Sequence, residues 1–86
     1  MAQLPTTTTA RLQVLNQDLH SGLCKGQVWA GEFAWVFHWR FRQGKLRVEP
    51  SLGRALIEDA LLRFLLRCDH QLDVGGEYNF LVRATV

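Results

Sequence analysis

From Ala10 onward, apolar and polar residues alternate with period two in four consecutive segments, roughly Ala10 to Gln17, Leu23 to Ala30, Glu32 to Arg42 and Lys45 to Glu49. Turn residues part each segment from the next. Period two sends successive side chains to opposite faces of an extended chain, so the pattern predicts a meander of four strands. In the third segment, "EFAWVFHWRFRQ", one parity is wholly aromatic (Phe33, Trp35, Phe37, Trp39 and Phe41). A two-residue hairpin at Gln43-Gly44 would set Arg42 opposite Lys45, Phe41 opposite Leu46, Arg40 opposite Arg47 and Trp39 opposite Val48. A loop at Ala30-Gly31 would set Val28 opposite Phe33, Gly26 opposite Trp35 and Cys24 opposite Phe37. Both hairpins select the same aromatic face, with Gly26 leaving room for the Trp35 indole.

The period then changes. In "PSLGRALIEDALLRFLLRCD", Ile57, Ala60, Leu61, Phe64, Leu65 and Cys68 recur at three- and four-residue spacing and form one apolar arc of a helix. Pro50 ends the preceding strand, Ser51 is placed to cap the helix start, and Arg63 and Arg67 lie near its end, where the helix dipole favours cations. Gly75-Gly76 breaks the chain before "EYNFLVRATV", where Tyr78, Phe80, Val82 and Ala84 alternate with polar or outward positions. The expected fold is α+β, in the order β-β-β-β-α-β: a curved, mostly antiparallel five-stranded sheet with one helix packed on one face. Residues 1–9, "MAQLPTTTT", read as a flexible N-terminal tail with no signal- or transit-peptide character, and residues 10–86 as one domain. At 86 residues the chain holds a single core.

One helix covers one sheet face, and the face it covers should be the one costliest to leave in water. Burying a large apolar side chain is worth roughly 1.5 to 3 kcal/mol, so exposing five rings as a base-stacking platform would cost on the order of 10 kcal/mol, close to a small domain's whole stability. The aromatic row is therefore expected to be core. The opposite face then carries Lys25, Gln27, Trp29, Ala34, Val36, His38, Arg40, Arg42, Lys45 and Arg47, joined by Arg11 and Arg83.

Charge sharpens this picture. The formal net charge is only +2, too small for a chain that coats nucleic acid by bulk charge. Yet between Phe33 and Val48 there are four cations, Arg40, Arg42, Lys45 and Arg47, and no carboxylate. The expected register opposes Arg40 to Arg47 and Arg42 to Lys45, and like charges directly opposed on paired strands destabilise a sheet. An anionic partner would offset the repulsion, whether an acidic protein surface, a phosphate backbone or a head group. The alternative is that long Arg stems shield an exposed sheet while their heads splay into water. The candidate binding residues are Trp29, His38, Arg40, Arg42, Lys45 and Arg47, with Glu49 as the neighbour of His38 across the hairpin. Single-stranded nucleic acid is a second candidate partner. On the helix, Leu62 and Leu66 with Ala55 project away from the core arc, and Leu52 and Leu56 lie on a third side. That pattern suits an interaction helix in a homodimer or in an accessory subunit of a larger complex.

Catalysis and cofactors find little support. His20, Cys24, Cys68 and His70 are the ligand types of a zinc site, but the spacing is not that of paired-cysteine knuckles, so no metal is assigned. Both cysteines read as buried small hydrophobes with reduced thiols. Asp18 with His20, or Glu58 with Asp59, can be written as acid-base pairs, and a small enzyme would need a polar pocket near His20 and His70. No nucleophile elbow, phosphate-cradling loop or nucleotide fingerprint is present, so no catalytic residue and no cofactor is assigned. The apolar fraction of 48% and the charged fraction of 21% are near those of soluble globular chains and indicate no membrane span.

The run "FAWVFHWRFRQGKLRVEPSLGRALIEDALLRFLLR", with the closing "GGEYNFLVRA", resembles a family of small cyanobacterial proteins of unknown function, most specifically in "WRFRQG" followed by "PSLGRAL". The resemblance implies a soluble, cytoplasmic protein of a photosynthetic bacterium and brings no catalytic residue with it.

Overall fold

A computed structural model describes residues 7–68 and 72–83 of the chain. Five strands and one helix follow the expected order: β1 (Thr7–Asp18), β2 (Leu23–Ala30), β3 (Phe33–Arg40), β4 (Lys45–Glu49), α1 (Arg54–Cys68) and β5 (Glu77–Arg83). The strands form one antiparallel sheet in the order β4-β3-β2-β1-β5. The helix therefore carries the chain from one edge of the sheet to the other, packing against both β4 and β5 as it crosses. Thr7 to Thr9, expected in the tail, belong to β1. They pair with Arg83, Val82 and Leu81 of β5, where β-branched residues suit the pleat.

The register assembles rows across the sheet. Val14, Gly26, Phe37 and Val48 form a central inward row, flanked by the inward rows Leu12-Val28-Trp35 and Gln17-Cys24-Trp39-Leu46. Trp35, Phe37 and Trp39 are buried at 3%, 0% and 4% exposure against Ile57, Leu61 and Leu65 of the helix, with Ala60, Phe64 and Cys68 partly buried beside them. The aromatic row is thus core, with one exception at each end. Phe33, at the start of β3, is 41% exposed and lies stacked on Trp35, centroids 5.7 Å apart. Phe41 is partly buried beyond the end of β3.

Both hairpins depart from the expected register by two residues. Between β2 and β3 the loop is Gly31-Glu32, with Gly31 at φ +59°, so Ala30 faces Phe33, Val28 faces Trp35 and Gly26 faces Phe37. The ring that needs the glycine is Phe37. A Cβ on Gly26 would lie 2.6 Å from Phe37 Cε1 and 2.3 Å from the carbonyl oxygen of Gln13. Between β3 and β4 the loop is four residues, Phe41 to Gly44, so Trp39 faces Leu46, His38 faces Arg47 and Arg40 faces Lys45, while Glu49 faces Val36. Phe41 leaves the ladder because its amide donates to the Gly22 carbonyl (3.0 Å) in the β1–β2 turn. An even shift preserves parity, so every face assignment survives the change of register.

The helix starts later than Ser51 would have set it. Ser51 closes a turn through its carbonyl, which accepts from the Arg54 amide (3.1 Å), and Gly53 enters the helix at φ +73°. This turn is pinned to the sheet, since the Trp35 indole N–H donates to the Leu52 carbonyl (2.9 Å) and a Cβ on Gly53 would lie 3.2 Å from the same ring. At the far end, a β-bulge between Val14 and Asn16 interrupts β1. The Gly75-Gly76 turn satisfies its backbone: the Gly75 amide donates to Val14 O (2.8 Å) and the Val14 amide to Gly76 O (3.1 Å).

Trp35 and Trp29 lie on opposite faces and test this packing. Trp35→Ala removes a buried ring and the partner of the Leu52 carbonyl, and should destabilise by about 3–5 kcal/mol in urea unfolding. Trp29→Ala, truncating a partly exposed ring, should cost under about 1 kcal/mol at the same slope. A reversed order would mean that the sheet faces are inverted.

Candidate anion-docking face

The outward rows alternate with the core rows and are equally regular. Starting from the β1–β2 turn they read Asp18-Leu23-Arg40-Lys45, then Asn16-Lys25-His38-Arg47, then Gln13-Gln27-Val36-Glu49, then Arg11-Trp29-Ala34. Four cations and an imidazole therefore fall in two adjacent rows at one end of the sheet. Three of the cations, Arg40, Lys45 and Arg47, line with His38, Leu23 and Leu46 a shallow cleft of about 340 Å³. Across Leu23 lies a second, open hollow of about 620 Å³, lined by Asn16, Asp18, His20 and Lys25 among others.

Individual positions differ in what their charge already does. Arg47 Nε is 2.7 Å from Glu49 Oε1, two residues along the same strand and face, in a solvent-exposed pair worth little in stability. Among the described residues no carboxylate lies within ion-pair distance of Lys25, Arg40 or Lys45. His38 Nδ1 is buried without a hydrogen-bond partner, and its direct neighbours across the sheet are Lys25 and Arg47. The register thus relocates the cation pairs expected from the sequence. Arg40 directly opposes Lys45, whereas Arg40 and Arg47 are diagonal neighbours.

Arg42 sits apart from the cleft. Its guanidinium donates to the carbonyls of Leu19 and His20, the latter at 3.0 Å, and lies over the Phe41 ring at 5.8 Å. Its stem packs where a side chain on Gly22 would otherwise be, at 3.3 Å from the position of a Cβ. Arg42 thereby ties the β3–β4 loop to the β1–β2 turn. Within that turn Asp18 Oδ1 accepts from the His20 amide (2.9 Å) and the Ser21 amide (3.4 Å). Hydrogen bonds from Ser21, then that of the His20 amide, hold the Asp18 carboxyl below its ordinary range. Trp29 lies at the opposite end of the face, partly buried, with the Arg11 guanidinium 5.2 Å from its ring centroid. Sequence reasoning missed both devices. The cross-strand pairing of Arg11 with Trp29 requires the β1–β2 register, and the role of Arg42 requires the geometry of two separate turns.

On the other side of the molecule Leu66 is exposed and Leu62 is partly buried against the core. Of the zinc candidates, His70 lies outside the described residues, His20 is exposed and Cys24 is buried. Among the described residues no group of three or more His, Cys, Asp or Glu side chains stands together as a metal site. No described helix is long and apolar enough to cross a membrane.

The architecture defines the class first: a small α+β domain in which a five-stranded antiparallel sheet is covered on one face by one helix and, among the described residues, is open on the other. Residues 5–85 match the family model of DUF3146, a protein family of unknown function, and the chain belongs to that family. No curated protein and no solved structure matches the chain.

Two measurements check the local chemistry. Burial pushes the Cys24 thiol up from the ordinary 9.0 to about 11, and raises the partly buried Cys68 as well. A thiol whose pKa is higher when folded favours the fold fully below the unfolded value, and that contribution is lost as pH rises from about 9 toward 11. Iodoacetamide at pH 8 should therefore label Cys68 first and Cys24 only on unfolding; equal labelling of the native protein would contradict the placement of Cys24. Arg42→Ala should speed amide exchange at Gly22 and Phe41 while shifting global stability by no more than about 1 kcal/mol. Unchanged exchange would show that Arg42 does not hold the two turns together.

Proposed function

We propose that this protein is a docking module whose open sheet face binds an acidic protein surface through Lys25, Arg40, Lys45 and Arg47, with His38 at their centre and Trp29 on the flank. The observation that carries the reading is the concentration of these cations in two adjacent outward rows, of which only Arg47 has a carboxylate partner among the described residues. Opposed cations on paired strands lower the stability of the free domain, and an anionic partner relieves that repulsion on binding. A broad, shallow face suits a protein surface better than a small enclosed ligand, since small-molecule sites are usually deep enough to bury most of their occupant.

Single-stranded nucleic acid is the less favoured partner because base stacking needs free ring faces. Trp35, Phe37 and Trp39 face the core, and Trp29 already carries the Arg11 guanidinium. Arg42, occupied with the carbonyls of Leu19 and His20, is left out of the binding set.

Titration with a polyglutamate peptide at low salt tests the proposal, with an oligothymidylate run in parallel. The wild type should bind polyglutamate with an affinity that falls as salt rises, and Arg40→Glu with Lys45→Glu should weaken it at least about tenfold, while the control Arg67→Glu at the end of the helix should not. Binding of oligothymidylate alone, with quenching of Trp29, would replace this reading with the nucleic-acid one, and binding of neither would overturn it.

A further inference from the structure

The helix presents a second surface, unrelated to the cationic face and on the other side of the sheet. Ala55, Asp59, Leu62 and Leu66 recur at i, i+4, i+7 and i+11, which places them along one stripe of α1. Leu66 is 57% exposed. Around Ala55 the surface is hollow, about 390 Å³, lined by Ser51, Arg54, Ala55, Glu58, Asp59 and Leu62. One stripe thus carries a projecting leucine and, about 16 Å further toward the helix N-terminus, an open hollow beside the smallest side chain in the stripe.

This surface is complementary to itself. An antiparallel two-fold axis exchanges residues equidistant from its crossing point and brings like flanks of the two helices together. Ala55 and Leu66 are equidistant from a point between Ala60 and Leu61. Asp59 and Arg63, an exposed pair 3.2 Å apart on one flank of the stripe, are equidistant from Leu61, within about 0.8 Å of the same point along the axis. A single axis therefore seats Leu66 of each copy in the hollow beside Ala55 of the other and sets Asp59 beside Arg63 of the second copy twice. The two pairs close into a ring of alternating charge. A partner of arbitrary shape would not require both pairs to share one midpoint.

We infer that the occupant of this surface is a second copy of the same chain, packed helix to helix in antiparallel fashion. The contact is one short helix pair, so the dimer is weak and forms in the upper micromolar range. Its two sheets face away from each other, which leaves both cationic faces accessible.

Sedimentation equilibrium from about 1 μM to about 1 mM tests the inference. The wild type should pass from monomer to dimer, and Leu66→Glu should remain monomeric, with circular dichroism and polyglutamate binding per chain unchanged. Asp59→Arg and Arg63→Asp should each lose self-association, because each places like charges across the axis. Mixing these two single variants should restore a heterodimer, in which every cross-axis pair is again opposite in sign; ion pairs within one chain predict no such rescue. A wild type that stays monomeric to about 1 mM, a dimer that survives Leu66→Glu, or failure of the two single variants to associate would each overturn the proposal. None of these outcomes bears on the docking face, which is read by polyglutamate alone.

Discussion

The Phe37 ring lies against bare backbone at Gly26, in the space that any other residue's Cβ would fill, and the Gln13 carbonyl closes that space from the far side. This contact sits in the central row of the sheet, with Val14 on one side and Val48 on the other. It locks β2 against β3, because a slip of one position would pair Phe37 with Lys25 or Gln27 and so either turn the ring into solvent or bring the polar side chain into the core. With Phe37 fixed inward, Trp35 and Trp39 follow by the pleat, and Val36, His38 and Arg40 must face out. The helix meets the inward rings with Ile57, Leu61 and Leu65, and the indole of Trp35 holds the turn that starts it.

The same constraint decides which side chains face outward. Among the described residues, a sheet of five strands covered by one helix has a side with no protein layer on it, and a side that meets water is cheapest to expose when it is polar. Polarity alone would be met by mixed charges. Instead the two rows nearest the β1–β2 turn collect Lys25, Arg40, Lys45 and Arg47; Asp18, in the same row as Arg40, accepts from the amides of its own turn, and Glu49 and Glu77 sit further along. Near the chain's overall balance of +2, such segregation is a local property that net charge does not reveal.

Strand parity, element order and the identity of the core were legible in the sequence because period two and the three-to-four spacing survive small errors of position. Loop length was less legible. Gln43-Gly44 has the composition of a tight hairpin, but Phe41 and Arg42 are held by carbonyls of a turn some twenty residues earlier, and no local pattern encodes that tie. The helix start misled for a related reason, since Ser51 fits a cap while the turn that contains it answers to Trp35. The position of β5 beside β1 was not readable from alternation, which gives a strand its faces but not its neighbour. For the site, the outward cations were visible as a set; which of them are already engaged, Arg42 with two carbonyls and Arg47 with Glu49, depends on cross-chain geometry.

The pairing of β1 with β5 joins the first described strand to the last, whereas β2, β3 and β4 are linked to their neighbours by short turns. Local hairpins close with little loss of chain entropy, whereas the β1–β5 pairing closes a loop that includes the whole helix. Along β1 from Thr7 to Gln13, β5 is what keeps the amides and carbonyls from being an open edge. A chain lacking β5 would present that edge to any other strand, so the last described strand also guards the first against pairing between molecules.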